Sequence, residues 1–121
     1  MKVAIITIPM KSPDKVSKFQ YSYDGNKEIE YENPVLCPVH AVLAKTLKKG
    51  EYVRVLYVLT TGKHSNYKQN AENFKTELNE INNERANLNY KTIEIEFKPT
   101  KETYEKILLL SSKKLEYILK K

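Results

Sequence analysis

The chain is poor in the residues on which most recognisable active sites are built. It has three glycines in 121 residues, so no glycine-rich phosphate loop can be spelled. One cysteine, Cys37, excludes an internal disulfide and a cysteine metal cluster and fits a reducing compartment. The two histidines, His40 and His64, stand outside any HxH or HExxH spacing, so no metal site is expected. There is no GxSxG, and Cys37 has no obvious base, which leaves nucleophilic catalysis without support. No apolar run reaches a membrane-spanning length, and Val3 to Ile8 is too short for a signal peptide. The expectation is a cytoplasmic protein without an anchor.

What is present fits one α/β domain over residues 1–121. Net charge is +6, which favours an anionic partner or simply a soluble surface. The lysines cluster at Lys11/Lys15/Lys18 and Lys113/Lys114/Lys120/Lys121 without forming a tail, and DNA binding is not expected.

Val3-Ala4-Ile5-Ile6-Thr7-Ile8 is a β-branched run stopped by Pro9, the pattern of a strand covered on both faces. Phe19, Tyr21 and Tyr23, the turn Asp24-Gly25-Asn26, then Ile29 and Tyr31 between Glu28, Glu30 and Glu32, read as a half-buried hairpin. Val35 to Lys49 reads as a helix with Val39, Val42, Leu43 and Leu47 on one face, and His40 as a buried or boundary side chain. Tyr52 to Leu59 is a second buried strand. Tyr67, Ala71, Phe74, Leu78 and Ile81 form an amphipathic stripe, with Ser65 or Asn66 able to cap that helix. Thr92 to Phe97 alternates as a third strand. A last helix opens at Thr100, with Tyr104, Ile107, Leu108, Ser111, Leu115 and Ile118 inward.

Strands alternating with helices predict parallel pairing. The expected fold is a Rossmann-like three-layer α/β domain: a small parallel sheet with a β-hairpin inserted after its first strand. In the order third-second-first, the first strand lies at an edge. An apolar edge invites pairing, which predicts a homodimer using that region unless the hairpin or more chain covers it.

Ligands of open α/β sheets bind at the carboxyl ends of the strands. The candidate ligand-binding residues are therefore Met10, Lys11 and Ser12 after the first strand, and Thr60, Thr61, Gly62, Lys63, His64, Ser65 and Asn66 after the second. They offer lysines, hydroxyls and a helix amino terminus, chemistry that suits a phosphate. Lys63 and His64 are the catalytic candidates, and His64 has no evident carboxylate partner nearby in sequence.

The pieces "VAIITIP", "YDGNKEIEY", "VRVLYVLTTGK" and "HSNYKQNAENF" resemble the CARF domain (CRISPR-associated Rossmann fold) of type III CRISPR ancillary proteins. The similarity spans roughly residues 2 to 110. Two features depart from that pattern. The loop "PMKS" replaces a turn that is often glycine-rich, and a "DxTHG"-like segment is absent; either a compact version or an amino-terminal piece of a larger sensor would account for this. The resemblance implies a dimer binding cyclic oligoadenylate, the tetra- or hexa-adenylate, across its two-fold axis, with no cofactor. Three functions follow as alternatives: a sensor of that ligand; a metal-independent ring nuclease cleaving it, with Lys63 or His64 stabilising charge; or a non-catalytic interaction domain docking through Tyr21 and Tyr31.

Overall fold

The computed structural model describes residues 2–20, 33–47, 51–85 and 89–98. Most of the expected hairpin and the whole of the expected last helix lie outside these residues. Within them the order is strand β1 (Lys2–Thr7), a 3-10 turn (Pro13–Lys15), helix α1 (Pro38–Thr46), strand β2 (Tyr52–Thr60), helix α2 (Tyr67–Arg85) and strand β3 (Asn89–Phe97).

The three strands form one parallel sheet in the order β1-β2-β3. Lys2 pairs with Val53 and Thr7 with Val58 on one side of β2; Tyr52 pairs with Asn89 and Thr60 with Phe97 on the other. A parallel connection needs a long crossover, and α1 and α2 supply the two that this order requires.

Both helices cover the same face. Ala4, Ile6 and Ile8, with Val53, Val55, Tyr57 and Leu59, form one core with Leu43 of α1 and Ala71, Phe74 and Leu78 of α2. The α2 stripe is therefore the inward face that its spacing predicts. Helix α1 is shorter than expected and turned: it buries His40, Ala41, Leu43 and Ala44, while Val39 and Val42 are only half-buried. Its small residues allow close approach to α2, and Ala41 and Ala44 pack with Ile81 and Val35.

The apolar run of β1 is not covered on both faces. Ala4 and Ile6 are buried, but Val3 is 37% exposed and Ile5 57% exposed. Side chains alternate across a strand, and Val3 and Ile5 lie on the face away from the helices. Of the hairpin region, the described pairing is a single antiparallel bridge in which Phe19 and Val35 exchange backbone hydrogen bonds of 2.7 and 2.8 Å. No helix among the described residues is long and apolar enough to cross a membrane.

Candidate functional site

Parallel pairing brings all strand ends to one edge of the sheet. The Ile8 amide donates to Val58 O (3.0 Å) and the Thr61 amide to Phe97 O (2.9 Å), so the loops after β1, β2 and β3 start side by side. Helix α2 then ties the first two together. The Asn66 amide donates to Met10 O (2.8 Å), and its side-chain amide reaches the same oxygen at 3.4 Å. One turn further on, Asn70 Nδ2 donates to both Pro9 O and Lys11 O, each at 2.8 Å. Asn70 is 1% exposed, so this side-chain amide satisfies two loop carbonyls from inside the domain.

Met10, Lys11 and Ser12 are thus brought against Thr60–Asn66, but most of the expected side-chain donors are engaged within the protein. The Ser12 hydroxyl donates to Asp14. Thr61 Oγ1 donates to Phe97 O (3.1 Å) and Ser65 Oγ to Thr60 O (2.6 Å). Thr60 is buried, and Asn66 holds the β1 loop. The Ser65 amide closes a turn onto Gly62 O. Three side chains stand out from this internally bonded frame: Lys11, Lys63 and His64, all exposed and without a hydrogen bond or ion pair among the described residues.

The frame's field favours an anion. Helix α2 begins at Tyr67 with no acidic residue in its first turn, and its first amides have no intrahelical acceptor. A negative group there gains about 0.3–1 kcal/mol from the helix dipole, with Lys11 and Lys63 adding charge. Asp14 beside Ser12 works in the opposite direction. His64 has no carboxylate partner among the described residues, so nothing there orients it as a base.

A second polar cluster lies beneath the sheet. His40, fully buried, has Nδ1 2.9 Å from Glu77 Oε1 and Nε2 2.7 Å from the Tyr57 hydroxyl. Glu77 also accepts from the backbone amides of Leu36 (2.6 Å) and Cys37 (3.1 Å), which anchors the start of α1 to α2. Burial pushes the Glu77 carboxyl up, but the hydrogen bonds from His40, Leu36 and Cys37 outweigh it and hold the group below its ordinary range. Burial pushes the Tyr57 hydroxyl well up and the Cys37 thiol to about 11. Phe74 meets both rings edge-on, at 5.8 Å from His40 and 6.5 Å from Tyr57. With every polar atom of the His40 ring engaged, this cluster is a core network rather than a reaction centre.

A hollow of about 190 Å³ opens beside α2, between Lys18, Val35 and the carboxylates of Glu77, Glu80 and Glu84. Its acidic lining suits no anion, so the anion-favouring chemistry belongs to the strand-end loops. Among the described residues no group of three or more His, Cys, Asp or Glu side chains is placed to hold a metal.

The residues missed at the level of sequence are Asn70 and Glu77. Each stands three places after one stripe residue and four before another, and so on the same helix face: Tyr67–Asn70–Phe74 and Phe74–Glu77–Ile81. A polar residue in an inward slot was the available signal. In comparisons with protein-family models, curated proteins and solved structures, nothing matches this chain.

Proposed function

We propose that this chain is a binding module for a phosphate-bearing anionic ligand, taken up at the carboxyl end of its parallel sheet. The observation that carries this reading is the joining of the Met10–Ser12 and Thr60–Asn66 segments by Asn66 and Asn70 into one frame. That frame presents Lys11 and Lys63 beside a helix terminus without acidic residues. A rigid frame with charged groups at its rim suits binding, because little ordering is left to be done when the ligand arrives.

The ligand class comes from the CARF resemblance: cyclic tetra- or hexa-adenylate, a second messenger of type III CRISPR antiviral defence. On this reading the fold is Rossmann-like and three-layered, with the hairpin inserted after β1. Two copies then bind the ring across a two-fold axis, which matches a cyclic ligand to a symmetric basic pocket. A sensor is favoured over a ring nuclease because His64 has no partner among the described residues.

Titration calorimetry with cyclic tetra- and hexa-adenylate tests the proposal. Binding of one ring by the unmodified chain, weakened at least tenfold in Lys11→Glu and Lys63→Glu, is the expected result; about 1.4 kcal/mol corresponds to that factor. No heat with either ring sinks the reading. Chromatography of the ligand after hours of incubation separates sensing, with the ring intact, from cleavage.

A further inference from the structure

The two edges of the sheet differ. The Ile8 amide donates to Val58 O across the β1–β2 pair. Backbone groups alternate between the two sides of a strand, so Lys2, Ala4, Ile6 and Ile8 turn theirs to β2, while Val3, Ile5 and Thr7 turn theirs outward. Those outward amides and carbonyls have no hydrogen-bond partner among the described residues. The side chains of the same three residues are exposed, Ile5 to 57%. From Val3 to Ile8 the strand carries no charge, and Lys2 and Pro9 bracket it. The β3 edge is guarded. The Thr61 amide donates to Phe97 O, which leaves the backbone of Tyr90, Thr92, Glu94 and Glu96 outward. Charged side chains discourage edge-to-edge pairing; β3 carries Lys91, Glu94 and Glu96, and β1 carries none between its ends.

We propose that two copies of this chain join antiparallel through their β1 edges, with Ile5 on the two-fold axis. Symmetry and hydrogen bonding together fix the register. A closed pair presents the same patch from each copy, and strands that meet edge to edge about a two-fold run antiparallel. All three outward residues find partners only when Ile5 lies opposite its own copy. Val3 then faces Thr7, Ile5 faces Ile5 and Thr7 faces Val3, and each pair exchanges both N–H···O=C bonds. Centring on Ala4 carries Thr7 past the amino end of β1. Centring on Ile6 sets Val3 against Pro9, which has no amide to donate. In the Ile5 register the exposed Val3 and Ile5 side chains of both copies gather on the face away from the helices. On the helix face, Ala4 comes beside Ile6 of the second copy and extends the buried layer. This pairing goes beyond the ligand reading and does not rest on it. Antiparallel strands send the strand-end loops of the two copies to opposite ends of the joined sheet. Lys11 and Lys63 therefore stay open in both, and a ring shared by two copies uses a separate two-fold.

Disulfide trapping and sedimentation of the full-length chain, without ligand, test this. Ile5→Cys puts two thiols on the axis with their Cα atoms about 5.5 Å apart, within disulfide reach, and is expected to cross-link to a dimer on mild oxidation. Val3→Cys alone leaves its two copies about 13 Å apart along the strands and is expected not to cross-link. Mixing Val3→Cys with Thr7→Cys restores the link. Lys68→Cys, exposed on α2, and the unmodified chain, with its buried Cys37, are the controls and stay single. In sedimentation the unmodified chain is expected to be dimeric at tens of micromolar. Ile5→Lys sets like charges against each other on the axis and weakens the dimer at least tenfold. Ile5 is exposed in the single chain, so this variant keeps its fold; where its circular dichroism departs from that of the unmodified chain, Ile5→Glu is read in its place. A monomeric unmodified chain, a dimer that Ile5→Lys leaves intact, or cross-linking of Val3→Cys alone or of Lys68→Cys as fast as Ile5→Cys overturns the proposal, whatever the calorimetry shows.

Discussion

Asn70→Ala is the substitution that best tests how the sheet edge is held together. The Asn70 side chain is 1% exposed and donates to Pro9 O and Lys11 O, each at 2.8 Å. Alanine removes both hydrogen bonds, at about 1 kcal/mol net for each. Stranding both carbonyls in the interior would cost about 1–3 kcal/mol more apiece. Met10 and Lys11 are exposed, however, and Pro9 is half-buried, so the loop can swing outward and rehydrate. The cost is therefore expected near the lower bound, about 2 kcal/mol, or about 8 °C in Tm for a chain of this size. Asn70→Asp keeps the shape and reverses the chemistry, placing a carboxylate against two carbonyl oxygens. The folded state disfavours that charge, so its carboxyl titrates above the unfolded value. The variant is then weakest at neutral pH and recovers as pH falls, once the acid can donate to one carbonyl. Thermal melts followed by circular dichroism at pH 7 and pH 4 measure both effects. An Asn70→Ala melt within 2 °C of the unmodified chain, or an Asn70→Asp deficit that does not shrink in acid, refutes the assignment of Asn70 as the clasp of the β1 loop.

Glu77→Gln removes a carboxylate that accepts from His40, Leu36 and Cys37; a loss of about 2–3 kcal/mol at pH 7 is expected by chemical denaturation. Because the folded Glu77 carboxyl lies below its ordinary value, its contribution is complete above the unfolded pKa and disappears as pH falls through the folded one. The gap between the two proteins should therefore close in strong acid, and a gap independent of pH contradicts the network. Cys37, 4% exposed and with its thiol pushed up to about 11, should resist alkylation at pH 8 until the protein unfolds; rapid labelling of the native chain would show otherwise. Phe74→Ala, which removes the ring packed edge-on against both His40 and Tyr57, should cost about 3–5 kcal/mol by the same denaturation assay.

The parts of this fold legible in the sequence are those set by local period. The run Tyr52–Leu59, interrupted only by Arg54, marks the central strand because a strand flanked on both sides and covered by helices on one face keeps that face, Val53, Val55, Tyr57 and Leu59, apolar. Tyr67, Ala71, Phe74, Leu78 and Ile81 mark the inward face of α2 because 3.6 residues per turn stack them. Alternation of strands and helices leads to parallel order, and parallel order brings the strand ends, with Met10–Ser12 and Thr60–Asn66, to one edge. Tertiary structure alone decided how those groups are used. Asn70 finds its acceptors 61 and 59 residues away, and Glu77 meets His40 across 37; no window of sequence carries such a pairing. The hydroxyls of Ser12, Thr61 and Ser65 look like ligand donors in sequence and become the site's own scaffolding once their acceptors are in place. Likewise β1 has the composition of a doubly covered strand, yet Val3 and Ile5 are exposed. Composition records that a side chain is apolar, whereas burial depends on which neighbouring surface reaches it, and both described helices pack on the opposite face of the sheet.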